Sequence, residues 1–401
     1  MADSPAAQAL VVCAYFPFPV ISGGRKRAVR LMESMQRAGA RPYILAVDQN
    51  PDGVDEALAR GWSAEVLPLP PYSACTRLRQ HLGGQPVGMS AALSERIRRL
   101  GATSAFIQLE EIDVAQYVGL ASRVAPTAVS LHNVDSAARG ANRHHLGGVE
   151  RVRAEYHNWR LRHTERLGIR RGDALICVSS SDRDYFLRAG GRRVVLAPNG
   201  VDRGLLDIPE DAPAKNDVLF FGQLAWQPNA DGLLRFLNEG WPDVVSKVPD
   251  ARLRVVGPGA DRVLELRSAP TAGVDVVGFV DDIHAELARA RAVVAPIWEG
   301  GGTRIKVLEA MAAGRPVVGT ALGVEEIGFL DGVHGLVGDT PRELAGLLIS
   351  LLESTELVGR LGSAARARAR EFEWSLVTGD AEKLYTQWIH SQHHRPDEGV
   401  S

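Results

Sequence analysis

Residues 299–320 read EGGGTRIKVLEAMAAGRPVVGT. After Thr303 the apolar residues Ile305, Leu308, Met311 and Ala312 recur at helical spacing. Gly314 followed by Arg315 and Pro316 stops that helix, and Val317-Val318 opens a strand. Arg304 and Lys306 therefore fall in the first helical turn, the wrong end for cations because the helix dipole already places partial positive charge there. The pattern makes sense as an anion site. Glycines 300–302 let a ligand approach the backbone, and the free N–H groups at the helix start favour phosphate. A flexible loop with two solvated cations is the plainer alternative.

The same strand–loop–helix unit repeats outward in both directions. In the first half ALVVCAYF reads as a strand, SGGRKR as a glycine loop, and Ala28, Leu31, Met32 and Met35 as one helix face ending at Gly39. PYILAV, AFIQL, TAVSLH and ALICVS are further strands. The pattern changes near LAPNGVD (196–202), and DIPEDAPAKND (207–217) reads as a linker. VLFFG, LRVVG, VDVVGFV, AVVAPI and PVVGT then form a second series, followed by a mostly helical tail. Strands separated by helices argue for parallel sheets covered on both faces. The expectation is α/β: two doubly wound domains facing each other across a cleft, with ligands at the carboxyl ends of the strands. The domains are drawn at 1–203 and 204–372, with 373–401 as a C-terminal helix crossing back to the first domain and a polar tail.

Composition narrows the function classes. The 401 residues are 45% hydrophobic and 23% charged, and the net charge of -2 supplies no global field for nucleic acid. ALVVCAYF is a short apolar run preceded by Asp3, which reads as a first strand and not a signal peptide. No stretch is long enough to span a membrane. Cys13, Cys75 and Cys177 are scattered, and Cys13 and Cys177 lie in strand-like runs, as buried thiols of a reducing cytoplasm do.

PIWEGGGTRIKVLEAMAAGRPVV, LAPNGVD, VVGFVDD and the early SGG loop together resemble the family 4 glycosyltransferases, in the right order over nearly the whole chain. The resemblance implies a two-domain GT-B fold and sugar transfer from a nucleotide diphosphate donor. It also implies retention of anomeric configuration and no bound metal or other cofactor. Glu309 matches the second acid of the family's paired-glutamate motif, whose two oxygens suit a ribose diol. The first acid falls at Gly301 and is missing, with Glu299 two residues out of register. Where the family places an arginine and a lysine after the first C-domain strand, FFGQLAWQPNADGL has Gln223 and Asn229 after Gly222. A leaving diphosphate without metal still needs cations, and Arg304 and Lys306 are the replacements.

Other roles follow from the resemblance in the same way. Gly23 and Gly24 bring backbone N–H groups to the phosphate, Gly302 and Thr303 complete the donor loop, and Phe279 and Val280 carry the nucleobase. His132 in SLHNVDS corresponds to the histidine beside the transferred sugar, where it would hydrogen-bond the sugar; an ordinary loop histidine is the alternative. Glu110 and Asp135 are candidates to meet acceptor hydroxyls, or else cap helices. UDP is the favoured nucleotide on family frequency, and the acceptor is a small molecule or a glycan. A sugar-nucleotide epimerase or a phosphorylase would use the same fold. A catalytically silent partner subunit, one that binds a nucleotide sugar or nothing, would account for Gly301, Gln223 and Asn229.

Four remaining signals have plainer readings. VVGPGADR lacks the third glycine of a dinucleotide fingerprint and reads as a structural loop. Asp182 and Asp184 in SSSDRDYF have metal-motif spacing but lie at a helix start, where acids complement the dipole. His390, His393 and His394 belong to a polar tail. The stretch 139–171 holds nine arginines and four histidines against three glutamates, with Tyr156, Trp159 and Leu161 interleaved. It reads as a solvated helical face, a peripheral contact with anionic membrane, or a guide for a phosphorylated acceptor.

Overall fold

The computed structural model describes residues 6–48, 53–68, 90–134, 148–209, 215–261, 272–299, 304–325 and 327–392. Two compact units result: Met1–Pro198 with Thr378–Ser401, and Asn199–Val377. Each is built on one parallel sheet, and each is α/β with the Rossmann-like pattern of strands and covering helices.

The first unit has seven strands: β1 (Ala7–Cys13), β2 (Ala40–Val47), β3 (Ser63–Leu67), β4 (Phe106–Glu110), β5 (Thr127–Ser130), β6 (Ala174–Cys177) and β7 (Val194–Leu196). Their spatial order is β3-β2-β1-β4-β5-β6-β7. The chain works outward from β1 to one edge, then returns to β4 and works outward to the other. Loops leaving β1 and β4 consequently diverge, and the crevice at this switch point is where doubly wound sheets hold ligands. Strand alternation sends Ala9, Val11 and Cys13 to one face and Leu10 and Val12 to the other. The first face is covered by the helix Gly23–Arg37, through the expected Ala28, Leu31, Met32 and Met35, and by the chain's last helix, Gly379–Gln392. The second is covered partly by Leu161 and Ile169 of the helix Gly148–Arg171.

The second unit repeats the design with six strands: β8 (Asp217–Phe221), β9 (Arg252–Val256), β10 (Val274–Gly278), β11 (Ala292–Ala295), β12 (Val317–Gly319) and β13 (Gly335–Val337). Their order is β10-β9-β8-β11-β12-β13, so the switch point lies between β8 and β11. Gly257 of the Gly-Pro-Gly loop has φ +134, and a Cβ there would stand 2.0 Å from the Gly222 carbonyl oxygen. That glycine lets the loops after β8 and β9 touch, a structural task.

The sequence reading found the central strands and missed β3, β7 and β13. All three are edges of their sheets. β7 and β13 are only three residues long, and β3, SAEVL, interrupts its apolar residues with Glu65 and is half-buried throughout. At Asp182 the serines prove more important than the acids. Ser179 caps the helix Ser180–Arg188 by accepting from the Asp182 N–H, and Asp182 sits in the first turn.

Candidate active site

Polar side chains gather at both switch points. In the second unit, Gly222 to Asn229 follow β8, while Arg304 and Lys306 follow β11. The helix Ile305–Ala312 begins one residue later than its sequence suggests, leaving Arg304 as its N-cap and Lys306 in its first turn. Lys306 Nζ donates to Asn229 Oδ1 at 2.7 Å and stands 4.9 Å from the centre of the Phe220 ring. Asn229 in turn donates through Nδ2 to the Gln223 carbonyl at 2.9 Å. The two uncharged residues therefore anchor the lysine supplied by the other side of the crevice. Burial, and then the neighbouring Arg304 charge, lower the Lys306 ammonium to about 7. Such a group gains most from an arriving anion.

Arg304 is not the solvated loop cation of the plainer alternative. It is 6% exposed, and its guanidinium carbon lies 5.4 Å from the Trp226 ring centre. Glu309 is buried on the third position after Lys306. Phe279 stands 53% exposed just beyond β10, and Val280 packs against the core beneath it. Glu299, at the end of the β11 loop, is exposed. Gly301, Gly302 and Thr303 lie outside the described residues.

In the first unit, β4 ends at Glu110 and the chain turns through Glu111, while His132 follows β5 by two residues. His132 Nε2 is 2.8 Å from Glu110 Oε1, and Nδ1 is 3.2 Å from Glu111 Oε1. Burial opposes charge on this imidazole, but its bonds and electrostatic attraction to the two glutamates outweigh it and push the pKa up to about 9. The expected hydrogen bond from His132 to a sugar is not available in this arrangement, since both ring nitrogens face carboxylates.

Glu110 also departs from its expected role. Its Oε1 accepts from Ser130 Oγ at 3.1 Å as well as facing His132, and its Oε2 accepts from Gln108 Nε2 at 2.7 Å. A carboxylate committed at both oxygens serves to hold His132. Asp135 lies outside the described residues, as do residues 139–147 of the basic stretch.

Two residues of this cluster carry no sequence signal. Tyr15, just beyond β1, donates its hydroxyl to Glu111 Oε1. Glu111 has φ 74, the one left-handed non-glycine backbone among the described residues. Burial raises its carboxyl, but the bond and charge of His132, then Tyr15 and Arg25, hold it below the usual carboxylate range. A Cβ on Gly24 would lie 3.0 Å from Glu111 Oε1, 3.1 Å from the Tyr15 hydroxyl and 3.3 Å from His132 Nδ1. The start of the helix Gly23–Arg37, capped by Ser22, thus borders the cluster closely enough that only glycine fits without displacement. Among the described residues there is no group of three His, Cys, Asp or Glu side chains able to hold a metal, and no helix long and apolar enough to cross a membrane.

Two Rossmann-like units, each with its polar residues at the switch point of a parallel sheet, define the class of two-domain sugar-transferring enzymes, and the comparisons agree. Residues 21–205 match the family model described as Glycosyltransferase Family 4, and residues 215–354 the one described as Glycosyl transferases group 1. The chain belongs to the family 4 glycosyltransferases and has their GT-B fold.

A phosphatidyl-myo-inositol mannosyltransferase of Mycobacterium leprae is 27% identical over 394 residues, 94% of this chain and 95% of the relative. Its Mycolicibacterium smegmatis counterpart is 32% identical over 221 residues, 52% of this chain, and the match spans only 56% of that relative's length. Among solved structures, Anabaena HepE in complex with UDP has a TM-score of 0.68 at 18% identity, covering 95% of this chain and 100% of that one.

Proposed function

We propose that the protein transfers a hexosyl group from a nucleotide diphosphate sugar to an acceptor hydroxyl, with retention of configuration and without metal. The observation that carries this reading is the pair Arg304 and Lys306 at the β8/β11 switch point, with Lys306 anchored by Asn229. Two cations and the N–H groups of a helix start meet the charge that develops on a departing diphosphate. Glu309 takes the ribose diol, and Phe279 with Val280 borders the nucleobase. A uridine nucleotide is the proposed donor on family frequency. The relatives named as mannosyltransferases favour instead a guanosine nucleotide carrying mannose, with an inositol-bearing compound as the acceptor, and the nucleotide panel below decides between the two bases. Cys13 and Cys177 are buried free thiols, which suits action in the cytoplasm.

The test is a thermal-shift panel with UDP, GDP, dTDP and ADP, with and without EDTA, on the wild type and Arg304→Ala. A ligand that binds only the folded state raises the melting temperature once its concentration passes Kd. One nucleotide is expected to shift the wild type, EDTA to change nothing, and the variant to lose the shift. Because Arg304 is buried against Trp226, the variant's own melting temperature is expected to fall by a few degrees, so the nucleotide-dependent increment is what counts. No shift with any nucleotide would bring forward the silent-partner reading. Donor turnover without acceptor would identify an epimerase, and a requirement for free phosphate a phosphorylase.

A further inference from the structure

We infer that Glu111 is the carboxylate that receives a hydroxyl of the sugar-accepting substrate, and that His132, Glu110 and Tyr15 are positioning residues for it. This rests on the transferase reading above and on its inositol-bearing acceptor. Remaining hydrogen-bond capacity singles out Glu111. His132 has spent both nitrogens on the glutamates, and Glu110 has spent both oxygens on Ser130, His132 and Gln108. Glu111 spends only Oε1, shared by Tyr15 and His132. Its Oε2 accepts from none of the described residues, and the side chain keeps 18% of its surface exposed. An ionised carboxylate offers acceptors only, so the partner it selects is a donor, and it repels phosphate. It thereby orients a phosphorylated polyol with a hydroxyl inward and the phosphate away.

The backbone supports the assignment. Glu111 holds a φ of 74, a strained conformation for glutamate that glycine would adopt freely. That geometry, at the switch point between β1 and β4, turns the carboxylate toward Tyr15, Gly24 and His132. Glu110, one residue earlier, ends the strand and points into the buried polar group beneath.

The experiment uses the full chain, with myo-inositol and phosphatidylinositol in mixed micelles as acceptors and the sugar nucleotide whose base gives the thermal shift. Glu111→Gln keeps the size and an oxygen for Tyr15 but replaces one acceptor with a donor. Its acceptor KM is expected to rise at least tenfold, while the donor KM and the nucleotide-induced thermal shift stay within twofold and one degree of wild type. Tyr15→Phe, which leaves the carboxylate charged but less fixed, is expected to raise acceptor KM two- to fivefold. A purely structural role would lower the melting temperature and move both KM values together, or neither. Unchanged acceptor KM in Glu111→Gln with an active wild type overturns the inference alone. A wild type that transfers to neither acceptor overturns it together with the inositol-bearing substrate on which it depends. Absence of any nucleotide shift removes the transferase reading itself.

Discussion

An ammonium that titrates near neutrality makes anion binding pH-dependent, and Lys306 is such a group, lowered to about 7 by burial and by Arg304. Below pH 7 it is already charged when a diphosphate arrives. Above pH 7 the free enzyme must take up a proton to bind, so affinity falls by up to about tenfold per pH unit until the pKa of the complex is reached. Calorimetric titration with the stabilising nucleotide at pH 6.5 and 8.5 is expected to show weaker binding and proton uptake approaching one at the higher pH. Lys306→Arg, charged throughout, is expected to flatten both. Equal affinity at the two pH values in the wild type would mean that Lys306 does not meet the diphosphate. Sequence made this lysine visible because a cation in a first helical turn contradicts the dipole. Glu111 and Tyr15 gave no such contradiction: a Glu-Glu pair and a tyrosine after a strand are ordinary. Their meeting depends on β1 and β4 being neighbours in space, across 96 positions of chain, and on a backbone angle that no glutamate advertises.

Strands were legible where a long run of apolar residues marks them, as VDVVGFV marked even the exposed edge strand β10. Central strands such as Phe106–Glu110 and Asp217–Phe221 are buried at every position and stood out as apolar runs, whereas the half-exposed edge β3 did not. The helix Gly148–Arg171 shows the opposite case, in which length and charge were evident but the buried side was not. It buries Asn158, Leu161, Glu165 and Ile169 and presents Val152, Tyr156 and Trp159 outward, Trp159 at 59% exposure and stacked on His163 at 5.7 Å. Exposed Arg151, Arg162, Arg166 and Arg170 accompany them. Aromatic side chains among arginines suit an anionic bilayer, each cation near the surface contributing about 1 kcal/mol. Of the three readings open to this stretch, contact with such a bilayer is separated from a solvated face by vesicle binding. Sedimentation at low salt is expected to carry the protein down with phosphatidylglycerol vesicles and not with phosphatidylcholine. Trp159→Ala or 0.5 M salt should reduce the bound fraction severalfold. Protein left in the supernatant with anionic vesicles would make the helix a solvated face.

The chain's last helix shows that chain order and compact units do not coincide in the whole molecule. After Val377 the chain rejoins the first unit, and Gly379–Gln392 places Ala381, Leu384, Tyr385 and Ile389 in the core around Phe106 and Met32. Tyr385 is fully buried, stacks on Phe106 at 4.9 Å between centroids, and donates its hydroxyl to Gln108 Oε1 at 2.5 Å. Arg37 secures the edge through Glu382 at 2.8 Å and Thr378 at 2.8 Å. The expected return of this helix to the first unit is seen, and the sheet shows which core residues it meets. Burying side chains of this size contributes about 1.5–3 kcal/mol each. Three such residues approach the ~5–15 kcal/mol by which a whole domain is stable, while the exposed Arg37–Glu382 pair adds at most about 1 kcal/mol. Truncation after Thr378 is therefore expected to unfold the first unit, with loss of its cooperative melting transition and binding of a dye specific for exposed apolar surface. Tyr385→Phe keeps the ring but strands the buried Gln108 oxygen, and is expected to cost about 1–3 kcal/mol in denaturant unfolding. Arg37→Ala should stay within about 1 kcal/mol of wild type, because its ion pair with Glu382 is exposed to solvent. A truncated chain that melts cooperatively at the wild-type temperature would show that the first sheet closes its core without this helix.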